Sequence, residues 1–271
     1  MHINLHSYTF RDRPLADAFQ TAAAHGYDGL ELSRVHFDET QLSQELPKAI
    51  ALGQRHTLPL HCVDFAADLI NEDDALLKKS SALLEKNISI CAAHGIKLMN
   101  GYVGVLLNEP EEFSSNGSAL ATDAHYQRAA AALRHLGNCA GQHQIKLALE
   151  IHMNTIHDTV ASMSRLLDLV NSEHIVATPD PGNMFATCPE DRDPNALDAL
   201  RGRIGYFHFK NCRIESGTYD YAVGLKHGDI DSRKYLRKLT QLGYNGPVCI
   251  EHVGDAPPAT IAEEDIAYLR Q

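Results

Sequence analysis

The chain has 271 residues, 44% of them hydrophobic and 22% charged, the proportions of an ordinary soluble globular protein long enough to bury a core without disulfides or a structural metal. Its 24 lysines and arginines against 35 aspartates and glutamates leave a net charge of −11, a poor balance for holding a nucleic-acid backbone, where cationic contacts dominate affinity. Six scattered cysteines without a C-x-x-C pair suggest neither a zinc ribbon nor a disulfide framework. The opening MHINLHSYTFRDR has no signal-peptide pattern and no window approaches 18 uninterrupted apolar residues, so a cytoplasmic protein without a membrane partner is expected.

Along the chain, helical stretches end in Gly or His and give way to short β-rich runs. The first strand candidate is INLHS (3–7), followed by strands near Gly29–Leu32, 58–63 and KLMNG (97–101). The later four are KLALEIH (146–152), IVATPD (175–180), GYFHFK (205–210) and PVCIE (247–251). Stretches of 3.6-residue periodicity lie between, among them 73–94, 126–142 and 232–242. Gly after a last helical turn is the expected stop, because it accepts positive φ. Several strands are almost wholly apolar, as in a parallel sheet covered on both faces. Eight strand-then-helix units predict a single-domain α/β protein spanning 1–271, a (β/α)8 TIM barrel. An open doubly wound sheet shares this alternation, but no G-x-G-x-x-G follows the first strand. Two long connections, 102–124 and 211–229, follow strands and are expected to serve function.

The ends of strands five to eight carry chemistry. Strand five presents Glu150 and His152, strand six Asp180 and then Asn183, strand seven His208 and Lys210, and strand eight Glu251. Side chains at i and i+2 share a face, so Glu150 with His152, and His208 with Lys210, are expected to point jointly into one mouth. A carboxylate at the end of an apolar strand is costly to desolvate unless it is paired or ligates a cation. Glu150, Asp180, His208 and Glu251, three carboxylates and one imidazole, suit Mn2+, Mg2+ or Co2+ with open positions better than a closed zinc site. Other readings exist for each residue: Asp180 before Pro-Gly can open a turn, and His208 can be a hydrogen-bonded core histidine. Lys210 can pair with a ligand carboxylate or touch substrate. His6, Tyr8, Phe10 and His61 fall at early strand ends, where they could line a sugar pocket.

These residues resemble the xylose isomerase-like TIM barrels, the superfamily of sugar isomerases and epimerases that also includes endonuclease IV. The resemblance runs over nearly the whole chain, through GYDGLEL, LEIH, DPGN, HFKN, the G-x-x-x-G-D-I-D at 224–231, and GYNGPVCIEH. It implies one divalent ion, Mn2+ first, with Mg2+, Co2+ or Zn2+ as alternatives, held by Glu150, Asp180, His208 and Glu251. It further implies that Glu150 and Glu251 move the proton α to a ketose carbonyl through an enediolate, while His152, Lys210 and Asn183 hold substrate oxygens. The expected activity is therefore isomerisation or epimerisation of a sugar or other polyhydroxy keto compound, and the resemblance makes a homo-oligomer plausible. The chain departs from the family pattern at Asn183, where many relatives have His, at Asn211, where many have Asp, and at EIHMNT, where epimerases often read Glu-Pro-x-Asn.

A lyase on the same barrel is the main alternative. EIHMNTIHDT (150–159), FHFKN (207–211) and HSYTFRDR resemble bacterial 3-dehydroshikimate dehydratases. Strand four reads KLMNGYVG, without an Arg to hold a substrate carboxylate, which leaves Arg11, Arg13 and Lys210 as substitutes. An endonuclease IV-like site needs further ligands. His61 could supply one, but Asn100–Gly101 offers none and Asn183 replaces another. A metal-free binding barrel is the third alternative.

Overall fold

The computed structural model describes residues 1–110 and 112–271, so residue 111 of the 102–124 connection lies outside the described residues. Strands and helices alternate from the start: β1 (Ile3–His6), α1 (Leu15–His25), β2 (Gly29–Leu32), α2 (Leu42–His56), β3 (Leu60–Ala67), α3 (Asp74–Ala93) and β4 (Leu98–Val103). The order continues with α4 (Asp123–Gln142), β5 (Lys146–Glu150), α5 (Val160–Val170), β6 (Ile175–Thr178) and α6 (Pro181–Thr187). It closes with β7 (His208–Phe209), a hairpin of β8 (Arg213–Glu215) and β9 (Thr218–Asp220), then α7 (Ser232–Gln241), β10 (Val248–Ile250) and α8 (Pro258–Leu269). β10 is thus the eighth strand expected from sequence. No helix among the described residues is long and apolar enough to cross a membrane.

The helix boundaries follow local chemistry. Gly26, at φ 78°, ends α1 in the left-handed conformation. Asp73 caps α3 by accepting from the backbone N–H of Ala75 and Leu76. Thr122 and His125 close a reciprocal capping box at the start of α4.

The chain forms two compact units, Met1–Asp64 with Phe207–Gln271, and Phe65–Tyr206. In the first, parallel strands run in the order β3-β2-β1-β10-β7. Register aligns His6 with Glu31, Leu5 with Leu30 and Ile250, and Ile250 with Phe209. The carboxyl ends of these strands therefore lie at one level. Leu5, Leu30, Leu32, Phe19, Phe207 and Phe209 are buried around them. In the second unit the order is β6-β5-β4, with the Phe65–Ala67 end of β3 beside β4. There Leu147, Ala148, Leu149, Ala177 and Met99 are wholly buried. The almost continuous apolar strands are buried on both faces, which is why they lack alternation.

Two tests follow. A Cβ on Gly101 in β4 would lie 1.9 Å from the Phe65 carbonyl oxygen, so Gly101→Ala is expected to destabilise the protein by about 2–3 kcal/mol in denaturant titration; an unchanged midpoint would contradict this packing. Asp265 on α8 is buried and accepts from the Leu225 N–H at 2.6 Å. Burial pushes its carboxyl up to about 7, against the opposing pull of that hydrogen bond. The native state then holds this proton more tightly than the unfolded chain, so the contribution of Asp265 to stability is lost as pH rises from about 4 through about 7. Asp265→Asn should remove that part of the pH dependence, raising Tm relative to the parent more at pH 8 than at pH 5.

Candidate active site

In the Met1–Asp64 and Phe207–Gln271 unit, the carboxyl ends of the strands gather six ionisable side chains. Lys210 Nζ donates to Glu251 Oε2 at 2.9 Å, and both residues are buried. His208, wholly buried, places Nε2 3.0 Å from Glu31 Oε2 and Nδ1 3.7 Å from Glu251 Oε2. His6 Nε2 lies 3.2 Å from Asp64 Oδ2 and 3.8 Å from Glu31 Oε1, while its Nδ1 is 3.6 Å from Glu251 Oε1. The salt bridge allowed for Lys210 is thus present. His6 is drawn into a charge network among carboxylates.

The electrostatics follow from that crowding. Burial disfavours a charged His6, but Asp64, Glu31 and Glu251 outweigh it and raise its pKa to about 9. Burial would also raise the carboxyls of Glu31 and Glu251. His208 and His6 outweigh it at Glu31, and Lys210 and His6 at Glu251, so both stay well below the usual carboxylate range. Asp64 goes the other way: burial and the neighbouring Glu31 push it up to about 7 although His6 pulls it down. Three acids with too few permanent cations divide the available protons between them.

In the Phe65–Tyr206 unit, β5 ends on Glu150 and α6 begins at Asp180, its N-cap. Asn183, wholly buried, donates its side-chain amide to Glu150 Oε1 at 2.8 Å and to Asp180 Oδ2 at 3.1 Å, and its backbone N–H to Asp180 Oδ1 at 3.2 Å. An amide between two carboxylates must turn its NH2 toward both. Its Oδ1 is left buried without a hydrogen bond among the described residues. Asp180 therefore opens a helix and is tied to Glu150 through Asn183. Asn100 Nδ2 stands 3.5 Å from Glu150 Oε2.

His61, Phe10 and His152, three other expected pocket residues, each have their own local surroundings. His61 is the extra residue of a bulge: Leu30 pairs with Leu60 but Glu31 with Cys62. It sits near the amino end of β3 with Nδ1 2.8 Å from Asn4 Oδ1, and Asp64 takes its place at the carboxyl end. Phe10 closes a 3-10 turn, Ser7–Phe10, is only 2% exposed, and lines a cleft with Arg11, Arg13 and Pro257. His152 falls beyond the end of β5, so strand alternation does not pair it with Glu150. Its Nδ1–H donates to the Met153 carbonyl at 3.0 Å, and its ring stacks on Tyr102 with centroids 4.6 Å apart. Arg11 bonds the Gly254 carbonyl at 3.1 Å and pairs with exposed Asp255 at 3.2 Å.

The two long connections are ordered by buried polar side chains. Within 102–124, Asp158 accepts from the Ser118 N–H at 3.3 Å, and the Val103 N–H donates to His157 Nε2 at 3.1 Å. Burial lowers the His157 pKa to about 3, so its ring is neutral and free to accept. In the second connection Asn211 donates to the Leu225 and Ile230 carbonyls at 2.8 and 3.0 Å and accepts from the Cys212 and Ile230 N–H groups at 2.9 Å. An Asp would accept but could not donate to those carbonyls, which accounts for an amide at this position.

A family model described as xylose isomerase-like TIM barrel matches residues 19–271. An inosose dehydratase from Bacillus licheniformis is 27% identical over 156 residues, 52% of this chain and 51% of that protein, so the match spans about half of the relative's length. The solved probable 3-DHS dehydratase of petrobactin synthesis from Bacillus anthracis superposes with a TM-score of 0.80 at 19% identity, covering 100% of this chain and 99% of that one. The 3-keto-D-glucoside 4-epimerase of E. coli gives 0.78 at 19%, covering 100% and 99%. Other solved proteins of this fold hold zinc (TM-score 0.77, 17% identity, covering 100% and 95%) or magnesium (0.75, 20%, covering 99% and 94%). These likenesses show the fold, a (β/α)8 TIM barrel.

Asn211→Ala removes four hydrogen bonds and should cost about 2–4 kcal/mol in thermal or denaturant unfolding, with faster proteolysis within 213–230. Parent-like stability and protection would contradict its role as the staple of this connection.

Proposed function

Because the chain belongs to the xylose isomerase-like TIM barrel family, we propose that it is an enzyme that removes the proton α to the carbonyl of a polyhydroxy ketone. In this reading Glu150, Asp180, His208 and Glu251 hold one divalent ion, and Glu150 and Glu251 carry the protons. The observation that carries it is the pair of half-sites. Lys210 and His208 converge on Glu251 in one unit, and Asn183 clamps Glu150 and Asp180 together in the other. The donors, three carboxylates and one imidazole, suit a hard or borderline divalent cation such as Mn2+, Mg2+, Co2+ or Zn2+. Such an ion would supply positive charge where negative charge develops on the ketone oxygen.

The remaining steps belong to the side chains. Lys210 keeps Glu251 ionised and oriented, and the amide of Asn183 orients Glu150 without adding a titrating group. One glutamate, ionised, takes the α-proton, and the other, entering the step protonated, gives its proton up, so that the pair exchanges protonation states. Asn183 Oδ1 is an acceptor available to a substrate hydroxyl.

Two fates are open to the α-carbanion. If the second glutamate protonates the β-hydroxyl, the C–O bond breaks, water leaves and a C=C bond forms. If it returns the proton to carbon, the product is an epimer or isomer. The inosose dehydratase relatives favour water loss, which moves dehydration ahead of the epimerisation expected from sequence. The solved epimerases of this fold support the second fate. The later part of β4 carries Asn100, Gly101 and Tyr102, with no cation to hold a carboxylate, so a neutral ketone fits better than 3-dehydroshikimate.

The test is proton NMR in D2O with Mn2+-loaded protein, offering neutral cyclic and open polyhydroxy ketones alongside 3-dehydroshikimate. Water loss from a neutral ketone, or deuterium gain with the carbon skeleton kept, supports the reading, and chelation or Glu150→Gln should reduce turnover by about a thousandfold. Loaded protein that neither exchanges nor dehydrates any of them, or full activity after chelation, would contradict it.

A further inference from the structure

Glu31 has no part in the proposed ligand set, yet it is wholly buried at the end of β2. Among the described residues no lysine or arginine pairs with it; the groups that face it are the imidazoles of His208, at 3.0 Å, and His6, at 3.8 Å, and the carboxyl of Asp64. Burying a carboxylate without a permanent counter-ion is costly, so the position calls for a reason beyond packing. We propose that Glu31 is the positioning residue for His208: it accepts the Nε2–H and so fixes the tautomer whose Nδ1 lone pair is presented to the ion. The proposal rests on the metal reading above.

The geometry separates the two ring nitrogens. Nε2 faces Glu31 Oε2 at 3.0 Å, a full hydrogen bond, whereas Nδ1 lies 3.7 Å from Glu251 Oε2, too far for a good one. Metal-ligating histidines regularly donate their other N–H to a carboxylate, which sets ring orientation and raises ligand basicity. Glu31 is itself held in place: Cys62 Sγ points at Oε1 from 3.7 Å, and His6 lies between Glu31 and Asp64. β2 and β1 set this arrangement through the pairing of His6 with Glu31. If the contact were only a structural ion pair, His208 would be an imidazolium with protons on both nitrogens, and it would repel a cation.

Calorimetric Mn2+ titration of the whole protein and of Glu31→Gln gives one readout. Nitrogen-15 NMR of the His208 ring with and without Zn2+, assigned by the loss of its signals in His208→Asn, gives a second that does not depend on Glu31→Gln folding. The expected results are stoichiometric Mn2+ binding by the parent, about 10- to 100-fold weaker binding by Glu31→Gln, and a His208 ring protonated on Nε2 and ligated through Nδ1 when zinc is bound. Affinity in Glu31→Gln within twofold of the parent, or a zinc-loaded ring that is doubly protonated or ligated through Nε2, would overturn the role of Glu31. Absence of binding by the parent would instead overturn the metal reading, so the two failures are distinguishable.

Discussion

Everything at the strand ends depends on how buried carboxylates are compensated. Glu31, Glu251 and Asp64 stand close together with one lysine and two histidines, and Glu150 and Asp180 are joined through a neutral amide. Desolvated acids in such numbers either take up protons, as the raised pKa of Asp64 indicates, or meet a positive charge. The protein spends its few fixed cations sparingly. Lys210 is committed to Glu251, and the remaining compensation comes from imidazoles and amide N–H groups, which can give way to an incoming ion. A fully salt-bridged arrangement would be more self-contained and less able to bind one.

The later half of this chemistry was legible in the sequence, and of the earlier half only His6 was. Carboxylates closing apolar strands pointed to Glu150, Asp180 and Glu251 because a charge there is expensive. The same argument applies to Glu31 in GLEL and Asp64 in HCVDF, where the signal was present but weaker, since each acid sits inside a run rather than at a visible end. His61 was misplaced because a bulge adds a residue to β3, and no pattern of side chains announces a bulge. His152 was paired with Glu150 on the assumption that the strand runs on to it, but the strand stops at Glu150. The β8–β9 hairpin also went unseen. Its Ser216–Gly217 turn, with both residues at positive φ, carries a readable S-G signal, but three-residue strands with exposed side chains are too short to show a period.

Substrate choice follows from what the site region lacks as much as from what it holds. Where the family resemblance leads one to expect a histidine, Asn183 binds two carboxylates at once and adds no charge. Where a carboxylate-bearing substrate would want a cation, β4 offers an amide, a glycine and a tyrosine. Arg11 is engaged with Gly254 and Asp255. Both departures fit a substrate recognised through hydroxyls and a ketone rather than through an anion. Asn211, another departure, serves the architecture of its own connection by donating where an aspartate could not.

The central claim, that four side chains remote in sequence serve one ion, is most directly tested by anomalous diffraction at the manganese edge from crystals grown with Mn2+. The account predicts a single strong peak about 2.0–2.4 Å from one donor atom each of Glu150, Asp180, His208 and Glu251. A map without such a peak, or with manganese bound elsewhere while these four side chains satisfy one another, would contradict it.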